Sequence, residues 1–377
     1  MNGQNLAQLR FHPLIPTVNP DFLIIGGGVI GLSSALELAR DGARVTVLER
    51  GVAGAESSWA GGGILSPLLP WNYPDTVSRL CDLGVELYPH WSARLTSSSG
   101  IDPEFRVSGM LVLPPVDEVA AGRWCAQHGW RHAREHAQAR VPALAENSPA
   151  LWLPDVAQVR NPRLVQALRV SALDAGVNLL EGVEVTQVAR ASPAHIDYLD
   201  TPRGKLQASA YVIAAGAWSQ SVLGNIAPHW PIKPMRGQML LFKAAPDLLP
   251  HIVYRQGIYL IPRRDGHILA GSTVEDAGFD KSTTETVKRM LYNAATDILP
   301  ALQTVPLVQH WSGLRPGSPD NIPTIGRHPM VENLYANTGH FRYGVTMAPA
   351  SAQILARLIA GRPQTLDVAP YRWTKGE

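Results

Sequence analysis

Cysteine is nearly missing from this chain: Cys81 and Cys125 are the only two in 377 residues. Two thiols cannot build a disulfide scaffold or a cysteine-ligated metal centre, and their scarcity fits a reducing compartment. An excess of one charge is missing too, since 33 Lys and Arg face 31 Asp and Glu, for a formal net charge of +2. There is no basic field to condense on nucleic acid and no run of like charges. Apolar stretches are short and broken by glycine or charge, well under the roughly 20 residues that span a bilayer. Met1 to Arg10 has neither the positive start nor the apolar centre of a secretory signal. Internal repeats and low-complexity tracts are absent as well. The expectation is a cytoplasmic protein with neither a nucleic acid nor a membrane as partner.

The composition that is present, 45% hydrophobic and 17% charged, is that of a folded chain and excludes a disordered one. At about 150 residues per domain, the length predicts two domains. Residues 1–18 read as a polar, proline-containing N-terminal extension without helical or strand period.

The first strong pattern is Asp21-Phe22-Leu23-Ile24-Ile25, an apolar run of the kind buried on both faces of a parallel sheet. It ends in Gly26-Gly27-Gly28-Val29-Ile30-Gly31, which opens an apolar-periodic helix stopped by Gly42; Arg44 to Glu49 then reads as a second buried strand. This is G-x-G-x-x-G in its strand–turn–helix setting. Gly26 permits the tight turn, Gly28 lets the backbone approach a pyrophosphate, and Gly31 lets helix and strand pack closely. The helix N-terminus offers N–H groups and a positive dipole end. Glu49, ending the second strand, is placed to accept ribose hydroxyls. The plainer reading is a tight turn with a solvated strand end.

The fingerprint does not choose between NAD and FAD, but two segments favour FAD. Glu56-Ser57-Ser58-Trp59-Ala60-Gly61-Gly62-Gly63-Ile64 supplies small residues and hydroxyls that let backbone approach a second ring system. Thr338-Gly339-His340-Phe341-Arg342-Tyr343-Gly344-Val345 turns into the last helix, whose N-terminus would stabilise negative charge on a reduced flavin.

Further along, residues 167–175 read as a helix and 177–181, 183–188, 211–216 and 333–337 as strands, with a last helix over 348–360. Between 231 and 311 the period changes to two, in segments such as Gly237–Phe242, Gly257–Pro262 and His267–Gly271, which predicts an antiparallel sheet. The chain is therefore expected to cross twice between two α/β and β-rich units.

With those residues in view, the sequence resembles the D-amino-acid oxidase superfamily of flavoproteins, and within it the glycine oxidases of thiamine biosynthesis. The resemblance covers nearly everything beyond about residue 20. It rests on the G-x-G-x-x-G unit, Val212–Ser219 (VIAAGAWS), Met235-Arg236-Gly237-Gln238, Trp311–Ser318 (WSGLRPGS), Ile325-Gly326-Arg327, Gly339–Arg342 (GHFR) and Ala348-Pro349-Ala350. It implies an α/β fold in which a Rossmann-like FAD-binding domain interleaves with a second domain built on a large, mainly antiparallel β-sheet. The FAD-binding domain is expected over 19–92, 155–230 and 310–377, and the substrate domain over 93–154 and 231–309.

The same resemblance implies site roles. Arg315 is expected to pair with the carboxylate of a small amino-acid substrate, Tyr259 to hydrogen-bond the same group, and Arg342 to lie at the flavin edge. Contacts to noncovalent FAD are expected from Gly26, Gly28, Val29, Ile30, Gly31, Glu49 and Arg50. Ser57, Ser58, Gly62, Gly63, Ile64, Val185 and Gly216 are expected to join them, as is the turn His340, Phe341, Arg342, Tyr343, Gly344, Val345 and Thr346. Ile64 and Val274 stand where methionine can occur near the substrate, so pocket width differs here. The implied reaction is oxidation of glycine by dioxygen to an imine or glyoxylate, ammonia and hydrogen peroxide, supplying thiamine thiazole synthesis, in a possible homotetramer. Sarcosine or D-amino-acid oxidation is the alternative, and a non-catalytic dinucleotide-binding subunit a further one.

Read from the residues alone, arginine suits a carboxylate because its planar fork holds both oxygens, yet an Arg before Pro in a glycine-rich turn is also an ordinary loop charge. Tyr259 in an apolar strand is equally a packing residue. No acid–base residue stands out, and hydride transfer from a neutral amine needs none. His128, His132 and His136 recur every four residues, a spacing that predicts one solvated helix face rather than a metal site.

Overall fold

The computed structural model of the chain describes residues 19–227 and 229–374. The extension expected over 1–18 lies outside them. The opening pattern folds as its periods require: strand Phe22–Ile25, helix Val29–Arg40 and strand Val45–Glu49. Leu23, Ile24 and Ile25 are all buried because the strand lies between two parallel neighbours, Val45–Glu49 and Ala210–Ile213. The complete sheet runs Thr324–Arg327, Leu334–Thr338, Ala210–Ile213, Phe22–Ile25, Val45–Glu49, Asn178–Glu181, with only the first pair antiparallel.

Alternation decides which layer each side chain joins. Ile24, Val47 and Val212 face the helices Val29–Arg40, Asp75–Ser99, Asn161–Asp174 and Gly344–Ile359. Leu23, Ile25, Leu48 and Tyr211 face the other way, against a small antiparallel sheet of Gln187–Ser192, His195–Thr201 and Gly204–Leu206. Truncating a side chain such as Ile24 to alanine in such a core costs about 2–5 kcal/mol.

The second large sheet has eight strands in the order Leu307–Gly317, Lys233–Lys243, His267–Gly271, Ile258–Pro262, Ile252–Arg255, Met110–Val112, Pro149–Leu153, Ala133–His136. One pair, Ile252–Arg255 with Met110–Val112, is parallel and the rest are antiparallel. The mixed α/β fold with a large antiparallel sheet is thus present. The division expected at 309/310 falls inside Leu307–Gly317, which pairs along its length with Lys233–Lys243. Helix Glu285–Ile298 covers one face through Leu291 and Ala295 against Leu240, Phe242 and Leu260.

Three expectations need correction. The strand expected over 183–188 starts only at Gln187 and runs to Ser192, where it pairs with His195–Thr201. The last helix begins at Gly344, ahead of Ala348, because the glycine-bearing turn ends sooner than its composition suggests. The three histidines do not share a helix face. His128 ends helix Glu118–His128, where Gly129 turns left-handed at φ 71°, His132 lies beyond it, and His136 closes strand Ala133–His136. His128 is not solvated either: its Nδ1 sits 2.7 Å from Asp82 and its Nε2 3.1 Å from Asp75. Among the described residues no helix is long and apolar enough to cross a membrane.

Candidate active site

A cleft of about 540 Å³ runs from the C-terminal ends of the parallel strands to the eight-stranded sheet. Such a position, beyond the carboxyl ends of an open α/β sheet, is where ligands of these folds bind. Its floor is the glycine turn. Gly26 has φ +109°, and a Cβ there would stand 2.4 Å from the Ala214 carbonyl oxygen; a Cβ on Gly31 would stand 1.9 Å from the Gly26 oxygen. Neither position admits a side chain, so strand and helix meet closely and leave Gly28, Val29 and Ile30 on the cleft wall. Gly31 packs beneath the turn and does not line the cleft; every other site position expected from the sequence does.

The side chains around the turn hold it open. Glu49 accepts hydrogen bonds from the Gly27 amide at 2.9 Å and the Gly51 amide at 2.8 Å, which fixes its carboxylate at the mouth of the turn. The Val29 amide, the first of the helix, donates to Ser58 Oγ at 2.9 Å. Arg50 lies over the Trp218 ring, 3.7 Å from its centroid, and pairs with Glu56 at 3.3 Å.

At the eight-stranded sheet the cleft meets Tyr259 and Arg315. Tyr259 is buried, its hydroxyl 3.8 Å from Met239 Sδ. Arg315 is half-buried, and its Nη1 and Nη2 donate to the Thr273 carbonyl at 3.0 Å and to Ser272 Oγ at 2.8 Å. Among the described residues no carboxylate pairs with it, so it is a cation resting on neutral acceptors. Burial holds its guanidinium below the usual value, and the nearby Arg342 charge lowers it further against Tyr259. Ile64 and Val274 line the same cleft.

Four hydrogen bonds stitch the motifs together. The Phe341 amide donates to the Pro316 carbonyl at 3.1 Å, and the Ser318 hydroxyl donates to the Gly339 carbonyl. Thr346 Oγ1 donates to the Ile64 carbonyl at 3.1 Å, and Trp311 Nε1 to the Ala60 carbonyl at 3.1 Å. The helix that starts here contains Pro349, which has no N–H to offer the Val345 carbonyl one turn back. Tyr88 Oη supplies that donor from the long helix, at 2.7 Å. His340 is fully enclosed, its Nε2 2.9 Å from Ser351 Oγ, and burial pushes its imidazole down to about 3.

These residues fit FAD. The glycine turn is a cradle that a Cβ would fill, and the small residues of 61–63 line the same space. Asn161 Oδ1 and Asn337 Oδ1, on lining residues, are buried without a hydrogen-bond partner, as polar atoms awaiting a ligand would be. Asn161, Trp218 and Asn337 were not anticipated as lining residues. Asn161 opens a helix and Asn337 is the last strand residue but one, and neither asparagine carries a signal of its own in the sequence. Among the described residues no cluster of His, Cys, Asp and Glu could hold a metal ion.

A family model described as FAD dependent oxidoreductase matches residues 21–358. The glycine oxidase of Pseudomonas aeruginosa is 44% identical over 355 residues, spanning 93% of this chain and 97% of that protein. The bifunctional protein ThiO/ThiG of Trichormus variabilis is 34% identical over 351 residues, which are 90% of this chain and 52% of that protein. Among solved structures, glycine oxidase from Geobacillus kaustophilus superposes with a TM-score of 0.90 at 28% identity, covering 96% of this chain and 100% of that one. With this match across the glycine turn, the arginine strand and the closing turn, the chain belongs to the FAD-dependent oxidoreductase family.

Proposed function

We propose that the protein is an amino-acid oxidase that converts glycine, water and dioxygen into glyoxylate, ammonia and hydrogen peroxide. The observation that carries this reading is Arg315, a cleft-wall cation with two neutral acceptors and no carboxylate partner. A guanidinium so placed takes a small carboxylate through two charge-assisted hydrogen bonds and leaves the α-carbon pointing into the cleft. Tyr259 beside it offers a hydroxyl to the same carboxylate. FAD, when bound, accepts the α-hydride and delivers the electrons to dioxygen. We assign the glycine turn, Glu49, Arg50, the 57–64 segment, Val185, Gly216 and the 340–346 turn to holding it, with Arg342 at its edge. The six-stranded sheet would then be the core of the FAD-binding domain, and the eight-stranded sheet that of the substrate domain.

Among the described residues that line the cleft, no carboxylate or imidazole is free to act as general base to the substrate amine. His340, held at about 3, takes up no proton at neutral pH. Glu49 is engaged by the glycine turn, Glu56 by Arg50 and Lys281, and Glu184 is exposed. The substrate therefore reacts as the neutral amine, and the protein's work is to bind, orient and exclude water.

A flavin band that bleaches anaerobically on adding glycine tests the reading, with peroxide yields across glycine, sarcosine, D-alanine and D-proline as the second arm. Sarcosine or a D-amino acid is the second reading, because the branched Ile64 and Val274 on the cleft wall set its width, and the panel decides. No bleaching by any of the four would leave a non-catalytic flavin-binding subunit. Two free, buried thiols support a cytoplasmic site of action. Use of the product in thiamine biosynthesis and assembly as a homotetramer are what the family resemblance implies; light scattering tests the assembly.

A further inference from the structure

Met235-Arg236-Gly237-Gln238 is a motif of the resemblance to which the oxidase reading gives no work. In the structure it lies in strand Lys233–Lys243, with Met235 opposite Arg315, Arg236 opposite Leu314 and Gly237 opposite Gly313. The Arg315 side chain folds back over the diagonal neighbour. A Cβ on Gly237 would stand 2.1 Å from Nη1 and 2.5 Å from Cζ, so the missing side chain is the floor on which the guanidinium rests. Arg236 and Gln238, flanking that floor, both reach Glu275. Arg236, 8% exposed, donates Nη2 to Glu275 Oε2 at 2.7 Å, and Gln238 donates Nε2 to Oε1 at 3.0 Å. Backbone bonds at 2.9 Å in each direction fasten Arg236 to Glu275 as well.

The network does not end at Glu275. Thr273 Oγ1 lies against Glu275 Oε1 and accepts the Gln238 backbone N–H at 2.9 Å. An ionised carboxylate only accepts, so the threonine hydroxyl must donate to it, and its orientation is fixed from both sides. The carbonyl of this same Thr273, with the hydroxyl of Ser272 before it, receives the two Arg315 bonds. A chain of contacts thus leads from Arg236 and Gln238 through Glu275 and Thr273 to the guanidinium.

Resting on the reading of Arg315 as the carboxylate anchor, we infer that Glu275 and Thr273 are positioning residues which, clamped by Arg236 and Gln238, aim Arg315 at the substrate carboxylate. They touch neither substrate nor cofactor in this role. The bland reading is that the Arg236–Glu275 pair only fastens the 272–276 segment to the sheet. The two differ in what happens to carboxylate affinity.

The test uses the full-length, FAD-loaded protein and acetate, a carboxylate without an amine, titrated by its shift of the flavin absorption band. Glu275→Gln and Thr273→Val should each weaken acetate roughly tenfold, the loss of aim of one charge-assisted hydrogen bond. KM for glycine should rise by a similar factor while kcat moves far less. Thr273→Ser, which keeps the hydroxyl, should recover the acetate affinity. Gly237→Ala, which displaces the guanidinium and not the strand, should lose it with the flavin retained. In an Arg315→Ala background Glu275→Gln should add nothing, because its effect passes through that side chain. Parent-like acetate affinity in Glu275→Gln and Thr273→Val, alongside a loss in Arg315→Ala, would overturn the inference and leave the anchor standing. Losses that simply add to that of Arg315→Ala would overturn it as well. Parent-like acetate binding by Arg315→Ala itself would instead remove the anchor and the inference together. Should Glu275→Gln not fold, Thr273→Val, near-isosteric, decides alone.

Discussion

Replacing His340 by glutamine should flatten the stability loss that the parent protein shows on mild acidification. The imidazole is 1% exposed, its Nε2 meets the Ser351 hydroxyl, and burial moves it from 6.5 to about 3. The unfolded chain takes up a proton near 6.5, whereas the folded chain refuses it until about 3. Stability from this site is therefore complete above 6.5 and drains away as pH falls toward 3. At about 1.4 kcal/mol per pKa unit, going from about pH 7 to about pH 5 costs roughly 2 kcal/mol, and the whole window about 4–5 kcal/mol. Urea unfolding of both proteins at those two pH values, with FAD held at one concentration, isolates the term from the other eleven histidines. The parent should lose about 2 kcal/mol more than His340→Gln. Equal losses would mean that the folded protein protonates this ring and that burial does not hold it neutral.

Arg315→Ala strands the substrate carboxylate in a desolvated wall, costing roughly 2–5 kcal/mol. KM for glycine should rise about 30-fold or more with FAD retained, and a near-parent KM in steady-state kinetics would refute the anchor. Glu49→Ala should weaken FAD by about 1.5–3 kcal/mol, read by fluorescence titration; an unchanged Kd would show that the carboxylate serves only the Gly27 and Gly51 amides. A bulkier residue at Ile64 or Val274 should penalise D-alanine and sarcosine over glycine by about 1–3 kcal/mol, and uniform losses would place both side chains away from the α-substituent.

The parts of this molecule legible in its sequence are those where one local rule is enough. An apolar run, a glycine turn, an apolar-periodic helix and an acidic strand end specify Phe22 to Glu49 because each depends only on near neighbours. The antiparallel run from Lys233 to Gly271 is legible for the same reason, through its period of two. Contacts between distant segments leave no such trace. Nothing in Tyr88 announces that it supplies the donor that Pro349 withholds from Val345, since the two prolyl and tyrosyl positions are related only by helix packing. Gly237 reads as an ordinary strand glycine until Arg315 is seen resting on it. The histidine spacing misled because Gly129, in the left-handed region, ends the helix right after His128. Period alone does not say where a helix stops.

The four hydrogen bonds that stitch the cleft have a consequence for how the protein comes into being. Thr346 and Ile64 are 282 residues apart in the chain, and Trp311 and Ala60 are 251 apart. Contacts of such separation come late in folding, because the loop they close must be ordered before they return any stabilisation. On a growing chain the glycine turn is made near the beginning and its closing turn near the end, so a shortened product holds half a cleft. FAD would then distinguish finished molecules from unfinished ones. At one hundred times its Kd a ligand adds about 2.7 kcal/mol to the state that binds it and nothing to the state that does not. Cofactor supply would in this way raise the folded share of completed chains, before any substrate is met.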